Sequence, residues 1–486
     1  MQKLLSLSIL LMLLLGWACT EEDSETTVLV TEEVLFTSGE QVRLLGRLIT
    51  DQAIDVIDHG FYLSLEESFS SPIIISLGAK NGPGRFIGQA TGLSVSKSYF
   101  AKAFMDVGGE TQFGNVLELS TQNPAVESFS PAFGSPNEEM VILGRNFTRD
   151  SKVFFGDQPA TILEIQFESR MRVRIPAAKT SAIVPVTVQV QNKILTVSGN
   201  FEYQVGTYTK LANFPDPVWL YDNLFFQNAS GFYIGMGSES KLRLYQKFQR
   251  YNTVTSSWEA ISFPGSPRVF GFATQNYLGG GARELGKEPY QINRSFWKIN
   301  ENGFQQLPDL AFDSRESVAF EIQGKLYVAG GKEGDPSAVR RFDPSNNSWS
   351  NLPGAPFSIT AELATFTYQS RQYFVNSDKV IWVFDPVANT WGSFDLYPDS
   401  IGEGYGMAQV IGSKVYIGLY RKNQTIWELN LNTKKWTRKN SVPGIPQTVT
   451  VGHFEKDGKI YLMRAIEFNL ASSSPMEFYR FDPNGI

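Results

Sequence analysis

The sequence has almost none of the residues that form disulfides and metal sites. Its 486 residues include a single cysteine, Cys19, and only two histidines, His59 and His453. An intrachain disulfide is therefore excluded. The two histidines lie far apart in sequence, and no second histidine or cysteine stands near either of them. With so few nitrogen and sulfur ligands, we expect no metal site and no bound cofactor.

The chain also lacks clusters of positive charge. The net charge is -6, the isoelectric point is near 5.3, and no run of Lys or Arg stands out. This balance argues against nucleic acid as a partner. The 36 Phe, 19 Tyr, 42 Gly and 24 Pro favour strands and turns over helices. A chain of this length is too long for one core, and we expect about three domains.

The N-terminus has the pattern of an export signal. Residues 1–18 contain the charged Lys3 and an apolar run from Leu4 to Leu15, which is too short to span a bilayer. The segment ends at Cys19 and resembles the lipobox of bacterial lipoproteins, although Gly16 stands where Leu is usual. This resemblance implies lipidation of Cys19 and a place in the outer membrane of a Gram-negative bacterium. The alternative is an ordinary signal peptide with an incidental cysteine.

Residues 19–27 form an acidic tether. The run from Thr20 to Glu25 resembles the surface-export signal of some Gram-negative lipoproteins, and the alternative is a solvated linker. The resemblance implies exposure on the cell surface.

Residues 28–121 alternate short apolar strands with turn signals, which predicts a sandwich. His59 to Ser64 has the composition of a strand. The segment Ser98 to Met105 alternates and precedes the turn Gly108-Gly109. This arrangement resembles the fibronectin type III-like modules of bacterial surface proteins, although the usual early tryptophan is absent.

Residues 122–204 carry a sharper pattern. Pro124 to Pro131 is followed by a second strand at Val141 to Phe147, by Val153-Phe154-Phe155-Gly156, and by a closing pair at Val186 to Val190 and Phe201 to Tyr203. The succession resembles an IPT/TIG domain, an immunoglobulin-like sandwich, over nearly its whole length. Some IPT/TIG domains bind DNA, but the export signal and the acidic net charge of the whole chain favour a spacer role for this domain.

Residues 205–486 contain a repeat, seen best between Gly324 and Trp349. A Tyr-containing strand ends in Gly330-Gly331, and a second strand ends in Asp343-Pro344 before the closing aromatic. The closing aromatics recur at intervals of 42 to 46 residues: Trp258, Phe304, Trp349, Trp391 and Trp436. Six Tyr-containing strands are present, at Tyr233, Tyr277, Tyr327, Tyr373, Tyr416 and Tyr461.

This pattern resembles the kelch repeat of β-propellers, in which each copy forms a four-stranded blade. The last copy ends without a closing aromatic strand, whereas a strand around Tyr208 precedes the first copy. We therefore expect the Tyr208 strand to complete the last blade and to close a six-bladed ring without open edges. The predicted fold class is all-β, with two immunoglobulin-like sandwiches followed by a six-bladed kelch-type propeller.

Two enzyme classes share the kelch fold. Galactose oxidase-like enzymes hold copper with two histidines, two tyrosines and a cysteine linked to one tyrosine. The repeat region has no cysteine and only His453, so copper oxidation is disfavoured. Kelch proteins that resemble sialic acid epimerases or mutarotases need no metal, and ligand counting leaves that alternative open.

The candidate binding residues lie just before the inner strands, at matching offsets from the Tyr-containing strands. They are Tyr221, Asp222, Arg268, Arg315, Glu316, Glu362, Glu403, Tyr405 and Thr450. Arg forms paired hydrogen bonds with carboxylates and Tyr stacks on sugar faces, so this ring is suited to an anionic sugar or peptide. The alternative is that Arg315 and Glu316 form surface or inter-blade ion pairs. His453 is expected to be packed in the fold or at the rim.

We expect a lipoprotein that presents a propeller to a glycan or a protein partner. A metal-independent sugar epimerase and a structural subunit of an envelope complex are the alternatives. The sequence indicates no catalytic residue.

Overall fold

The computed structural model describes residues 27–239, 243–284, 288–301, 303–466 and 475–486, and every regular element in them is a β-strand. Contacts divide the chain into two units, of which one ends at Tyr203 and the other begins at Gln204. The predicted export signal, Cys19 and most of the acidic tether lie outside the described residues. None of the described residues forms a helix with the length and apolarity that a membrane crossing requires.

The first sandwich has two sheets. Its strands are β1 Val28–Thr37, β2 Val42–Ile49, β3 Asp55–Ser64, β4 Ile73–Ser76, β5 Lys80–Asn81, β6 Gly84–Ala90, β7 Ser98–Val107 and β8 Glu110–Ser120. One sheet has the order β1-β2-β6 and the other β4-β3-β7-β8, with β5 beside β3. Alternating apolar residues from both sheets, among them Leu44, Phe61 and Ala101, form the core.

A buried tyrosine fixes the connection between the two sheets of this sandwich. The backbone N–H of Ser94 donates a 2.9 Å hydrogen bond to the hydroxyl of Tyr99, at the start of β7. Leu93, beside it, is buried in the core. A tyrosine bonded back to the preceding loop is typical of immunoglobulin-like sandwiches.

The second sandwich is built from eight strands. They are β9 Ala125–Ser130, β10 Phe133–Gly134, β11 Glu139–Arg145, β12 Lys152–Phe155, β13 Gln158–Gln166, β14 Arg170–Arg174, β15 Ile183–Val190 and β16 Lys193–Tyr203. They follow the order β10-β16-β15-β12-β13-β14-β11-β9, in which β13 belongs to both faces. The rings of Phe155, Phe201 and Tyr203 contact one another in the core.

The second unit is a ring of six four-stranded sheets, as the sequence predicts. Sheet 1 contains β19 Leu224–Asn228, β20 Gly231–Gly235, β22 Lys247–Asn252 and β23 Ser257–Ser262. Sheet 2 contains β24 Phe272–Ala273, β25 Tyr277–Gly279, β26 Phe296–Asn300 and β27 Gly303–Leu307. Sheet 3 contains β28 Val318–Ile322, β29 Lys325–Ala329, β30 Val339–Asp343 and β31 Ser348–Leu352.

Sheet 4 contains β32 Ala364–Tyr368, β33 Arg371–Val375, β34 Val380–Asp385 and β35 Thr390–Leu396. Sheet 5 contains β36 Met407–Ile411, β37 Lys414–Gly418, β38 Ile426–Asn430 and β39 Trp436–Arg438. Sheet 6 contains β40 Thr448–Lys456, β41 Lys459–Ile466, β42 Glu477–Asp482 and, from the start of the unit, β17 Thr207–Lys210. The short strands β18 Leu220–Tyr221 and β21 Ser238–Glu239 pair with each other.

The ring closes through β17, which confirms the prediction for the Tyr208 strand. β17 pairs antiparallel with β42, and Tyr208 lies opposite Phe481 with the rings stacked 4.6 Å apart. The Tyr208 hydroxyl donates a 2.7 Å hydrogen bond to the carbonyl oxygen of Asn440. The two ends of the unit are thus held in one sheet.

The closing aromatics pack between neighbouring sheets. Trp349 of sheet 3 contacts Phe296 of sheet 2, with the ring centroids 5.7 Å apart. Phe304, which replaces tryptophan in sheet 2, stacks on Phe248 of sheet 1 at 5.7 Å. The phenylalanine therefore keeps the packing role of the missing tryptophan.

An Asp or Asn shapes the turn after the third strand of several sheets. Asp343 accepts a 3.0 Å hydrogen bond from the backbone N–H of Ser345, and Asn430 accepts one from Asn432. Such side chains replace backbone partners in tight turns, which explains why the motif recurs. Asp343 also pairs with Lys325 of the neighbouring strand, and its pKa is lowered by hydrogen bonds from Lys325 and Ser345.

Candidate functional site

A pocket of about 290 Å³ lies inside the ring of sheets. Residues of the innermost strands β19, β24, β28, β32 and β40 line it, together with residues that precede these strands and β36. The walls are apolar and aromatic where Phe225, Phe272 and Val318 face the pocket, and charged where Asp222 and Glu316 do so. An apolar pocket with a few converging polar groups is the usual form of a small-molecule site.

Four side chains reach this pocket from the same structural position. Asp222, Phe270, Glu316 and Tyr405 each lie two residues before an innermost strand, and their φ angles are 50°, 59°, 56° and 56°. Residues other than glycine adopt this left-handed conformation infrequently, at a cost of on the order of 1 kcal/mol each. Its repetition in four sheets indicates a common local structure rather than four separate irregularities.

A chain of backbone hydrogen bonds links three of these four positions, Asp222, Phe270 and Glu316. The N–H of Phe270 donates to the carbonyl oxygen of Asp222 at 3.0 Å, and the N–H of Glu316 donates to Phe270 at 2.8 Å. Ala361 then donates to Glu316, also at 2.8 Å. Each bond joins one sheet to the next, so the residues that carry the pocket's side chains also connect the sheets around it.

The structure brings together five of the nine binding residues proposed from the sequence. Tyr221, Asp222, Glu316, Tyr405 and Thr450 all line the pocket. The Tyr221 hydroxyl donates a 2.6 Å hydrogen bond to Ile466, and Thr450 accepts one of 2.6 Å from the buried Arg464. These two polar groups therefore have partners within the fold.

Arg268 does not line the pocket. Its side chain is fully buried and donates hydrogen bonds to the carbonyl oxygens of Gly280 and Ser295 at 3.2 and 3.1 Å. Burial, together with the charge of Arg283, lowers its pKa to about 9. Arg268 holds loops of sheet 2 together, and it cannot be reached by a ligand without unfolding them.

Arg315 also lies outside the pocket lining, in the ion pairs that the alternative interpretation predicts. Its guanidinium is 2.7 Å from the carboxylate of Glu333 and 3.2 Å from that of Glu316, and it lies over the ring of Tyr290 at 4.4 Å. On the other side, Lys332 Nζ is 2.6 Å from Glu316 Oε2. Arg315 therefore forms an ion pair with Glu316 and does not itself face the pocket.

Glu362 and Glu403 belong to the surroundings of the pocket. Glu362 precedes β32 by two residues, as the other positions precede their strands, but its carboxylate pairs with Lys332 at 3.2 Å. Glu403 is exposed and pairs with Lys422 at 2.7 Å. The expectation of two arginines aimed at an anionic ligand thus finds no support in the positions of Arg268 and Arg315.

Asp222 differs from the other carboxylates around the pocket in its lack of side-chain partners among the described residues. Its side chain is half-buried and makes no hydrogen bond or ion pair with any residue that the structure describes. Burial and the nearby charge of Glu316 raise its pKa to about 7, partly offset by Arg421 and Lys332. It is therefore divided between the protonated and ionised forms near neutral pH.

Two ionisable residues of the pocket lining, Arg421 and His453, are not among the candidates from the sequence. Arg421 lies over the ring of Tyr405 at 4.9 Å, and its Nη1 is 4.0 Å from Glu403. It follows Tyr416 by five residues, as Lys332 follows Tyr327. An alignment of the residues after each Tyr-containing strand could have revealed this shared position.

His453 forms part of the pocket wall rather than packing only within the fold. Gln409 Nε2 donates to its Nδ1 at 2.7 Å, and the ring lies against Phe225 at 4.8 Å. Burial lowers its pKa to about 4, so it is neutral at physiological pH with the proton on Nε2. A shift of register between Thr450 and Gly452 brings it to the pocket, and no sequence pattern marks that shift.

Comparison with known families identifies two parts of the chain. Residues 124–204 match the IPT/TIG domain, and residues 316–356 match the Kelch motif. The chain carries an IPT/TIG domain and a Kelch motif. The Kelch match begins at Glu316 and covers sheet 3, the sheet whose repeat is best preserved. Kelch and TIG domains suggest a binding or structural role. No curated protein matches the chain significantly.

Solved structures of low similarity cover much of the chain. A protein of unknown function from Bacteroides thetaiotaomicron is 13% identical, with a TM-score of 0.38, and covers 74% of this chain and 98% of its own. A protein named YjhT is 16% identical, with a TM-score of 0.43, over 55% of this chain and 95% of its own. An auxiliary nutrient binding protein from the same Bacteroides species is 13% identical, with a TM-score of 0.37, over 74% and 98%.

The Kelch propeller thus holds a pocket with aromatic walls, a neutral histidine and a carboxylate, Asp222, that has no ion-pair partner in the described part of the chain. Among the described residues, no group of three or more His, Cys, Asp or Glu is placed to hold a metal ion. The groups present can bind a small polar molecule through hydrogen bonds and ring contacts.

Proposed function

We propose that the protein is a cell-envelope lipoprotein whose Kelch propeller binds a glycan in its central pocket. The observation that carries this proposal is the combination of Asp222, His453 and Arg421 with the rings of Phe225, Phe270 and Tyr405 around one pocket. Sugars have apolar faces and polar edges, so they suit a pocket of aromatic walls and separate hydrogen-bonding groups.

The size of the pocket favours the end of a glycan over a folded protein. A cavity of about 290 Å³ has room for a sugar unit but not for a protein surface. A protein partner would dock on the rim instead, where Glu403 and Lys422 are exposed. A structural subunit of an envelope complex would use such outer surfaces too.

The rest of the chain suits presentation at the cell surface. Residues 1–18 and Cys19 have the lipoprotein pattern, and the acidic residues after Cys19 favour surface exposure. The first sandwich has the strand arrangement β1-β2-β6 against β4-β3-β7-β8, which supports its assignment as a fibronectin type III-like module. Two sandwich domains between anchor and propeller would act as spacers.

The glycan function is tested with the full chain, purified in detergent and applied to a glycan array. We expect saturable binding that is lost when Ala319, on the pocket wall, is replaced by Trp. Binding that survives Ala319→Trp would place the ligand outside the pocket. Co-purification with envelope proteins in the absence of glycan binding would favour the structural role.

The anchor is tested separately, by metabolic labelling with a fatty-acid probe. We expect the wild-type protein to carry the label and the Cys19→Ala variant to lack it. Label on Cys19→Ala would overturn the lipoprotein assignment without affecting the proposal for the pocket.

A metal-independent epimerase or mutarotase is the second candidate, and Asp222 is the observation that favours it. A carboxyl group whose pKa is raised to about 7 has the acidity that general acid–base catalysis uses. Nuclear magnetic resonance of bound sugars would detect turnover, which the binding proposal does not predict.

A further inference from the structure

The two carboxylates that face the pocket differ in whether they already have ion-pair partners. The two carboxylates are Asp222 and Glu316, and the cation in the lining is Arg421. Both oxygens of Glu316 are already taken, one by Arg315 at 3.2 Å and the other by Lys332 at 2.6 Å. Asp222 is therefore the carboxylate in the described part of the pocket that a ligand can use.

The backbone holds the Asp222 carboxylate at the pocket. Its left-handed conformation, with φ at 50°, is retained because its carbonyl oxygen accepts the 3.0 Å hydrogen bond from Phe270. Neighbouring residues on each side, Tyr221 and Asn223, also line the pocket. A group held in an uncommon conformation by an inter-sheet hydrogen bond is pre-organised for contact with a ligand.

Aromatic rings surround the same space. Phe270 and Tyr405 occupy the equivalent positions in two other sheets, and Tyr221 and Phe225 also line the pocket. Cations are attracted to the faces of aromatic rings and to carboxylates, and both kinds of group are present together here. A neutral or anionic ligand would use the rings but would give the Asp222 carboxylate no ion-pair partner.

We propose that the pocket selects a sugar that carries a free, positively charged amino group, and that Asp222 receives the ammonium. This inference rests on the proposed glycan function and narrows its ligand to amino sugars. The hydroxyl groups of the sugar would meet the Nε2–H of His453, Thr365 and the guanidinium of Arg421, all of which line the same pocket.

The charges around Asp222 are consistent with this assignment. Burial is the main cause of the raised pKa, the charges of Glu316 and Glu362 add to the rise, and those of Arg421 and Lys332 oppose it. Since the acidic groups and burial prevail, the site disfavours a bare negative charge on Asp222. A bound ammonium supplies the missing positive charge and takes the place of the proton.

The test measures binding of three matched sugar pairs to the full chain by isothermal titration calorimetry. Glucosamine, galactosamine and mannosamine are each compared with their N-acetyl forms, which keep the ring but lose the charge. We expect at least one amino sugar to bind about tenfold or more tightly than its N-acetyl form, because hydrogen bonds between charged groups are stronger than those to neutral ones. The Asp222→Asn variant should lose that preference.

Asp457→Asn is the matched control. Asp457 also has a left-handed backbone, with φ at 52°, but it is exposed in the turn between β40 and β41. The Asp457→Asn variant should therefore still bind the amino sugar more tightly than its N-acetyl form. Equal or tighter binding of the N-acetyl form in every pair would overturn the inference while leaving the glycan function in place. If neither the amino sugars nor their N-acetyl forms bind, the glycan function fails as well.

Discussion

The backbone N–H of Phe270 donates a 3.0 Å hydrogen bond to the carbonyl oxygen of Asp222, and both residues are left-handed. This bond joins sheet 1 to sheet 2, while the two side chains reach the central pocket. Stability of the ring and the position of the binding groups therefore depend on the same few residues. Variants at these positions must be tested for folding as well as for binding.

Tryptophan fluorescence reports on the propeller alone. Eight of the nine tryptophans lie between Trp219 and Trp436, and the other, Trp17, lies in the predicted export signal. The free energy of unfolding of the second unit can therefore be measured in the full chain.

The first prediction concerns the glycine pair of sheet 3. A Cβ on Gly330 would lie 2.1 Å from the carbonyl oxygen of Ile359, and φ is 61°. We expect Gly330→Ala to lower the unfolding free energy by on the order of 3 kcal/mol, because backbone must move to relieve the clash. Urea unfolding followed by tryptophan fluorescence measures the loss.

Gly324→Ala is the control for this change. Gly324 has a similar φ of 73°, but a Cβ there meets nothing within 4 Å. The unfolding free energy of Gly324→Ala should fall by only about 1 kcal/mol, which is the cost of a left-handed backbone at alanine. Equal losses in the two variants would show that close packing of Gly330 against Ile359 does not matter.

The second prediction concerns ring closure. Replacing Tyr208 by Ala removes the stacking on Phe481 and the hydrogen bond to Asn440, and should cost about 2–4 kcal/mol. Tyr208→Phe keeps the ring and should cost about 1 kcal/mol. The same urea experiment measures both. A negligible effect of Tyr208→Ala would mean that β17 contributes little to holding the ring closed.

The third prediction concerns pH. The pKa of Asp222 rises from 3.8 to about 7 on folding, so the folded state holds the proton more tightly. Asp222 therefore contributes a loss of stability that begins as pH rises above about 4 and is complete above about 7. Asp222→Asn removes this loss, so the stability of this variant relative to the wild type should improve between pH 4 and pH 8 by on the order of 4 kcal/mol.

Unfolding curves of the wild type and Asp222→Asn at the two pH values provide the measurement. Other carboxylates titrate in both proteins, so their contributions cancel in the difference. A difference that does not change with pH would mean that Asp222 is solvated like an ordinary surface carboxylate.

The fold could be predicted in detail because its signals are local. The Tyr-containing strands, the closing aromatics and the turn residue Asp343 recur at nearly constant spacing, and Tyr208 precedes the first copy. Six sheets and the closing strand follow from those features. Even the replacement of tryptophan by Phe304 left the packing intact.

The site was only partly predictable because its side chains depend on distant contacts. Asp222, Glu316 and Tyr405 were found by their offsets from the Tyr-containing strands, since the left-handed position recurs. Arg268 was a candidate from the sequence but lies outside the pocket, because its side chain hydrogen-bonds to Gly280 and Ser295. The spacing of the repeat does not identify these two partners. His453 was missed because the shift of register after Thr450 changes which side chains face the pocket.

The most direct test compares sugar binding by the full chain when the pocket is open and when a tryptophan side chain fills it. Ala319 lines the pocket, so Ala319→Trp should fill it, whereas Ala388→Trp adds the same ring to an exposed turn. Calorimetric titration with amino sugars should give saturable binding to the wild type and to Ala388→Trp, and none to Ala319→Trp. Equal binding to all three proteins would contradict the central claim that the propeller binds its ligand in this pocket.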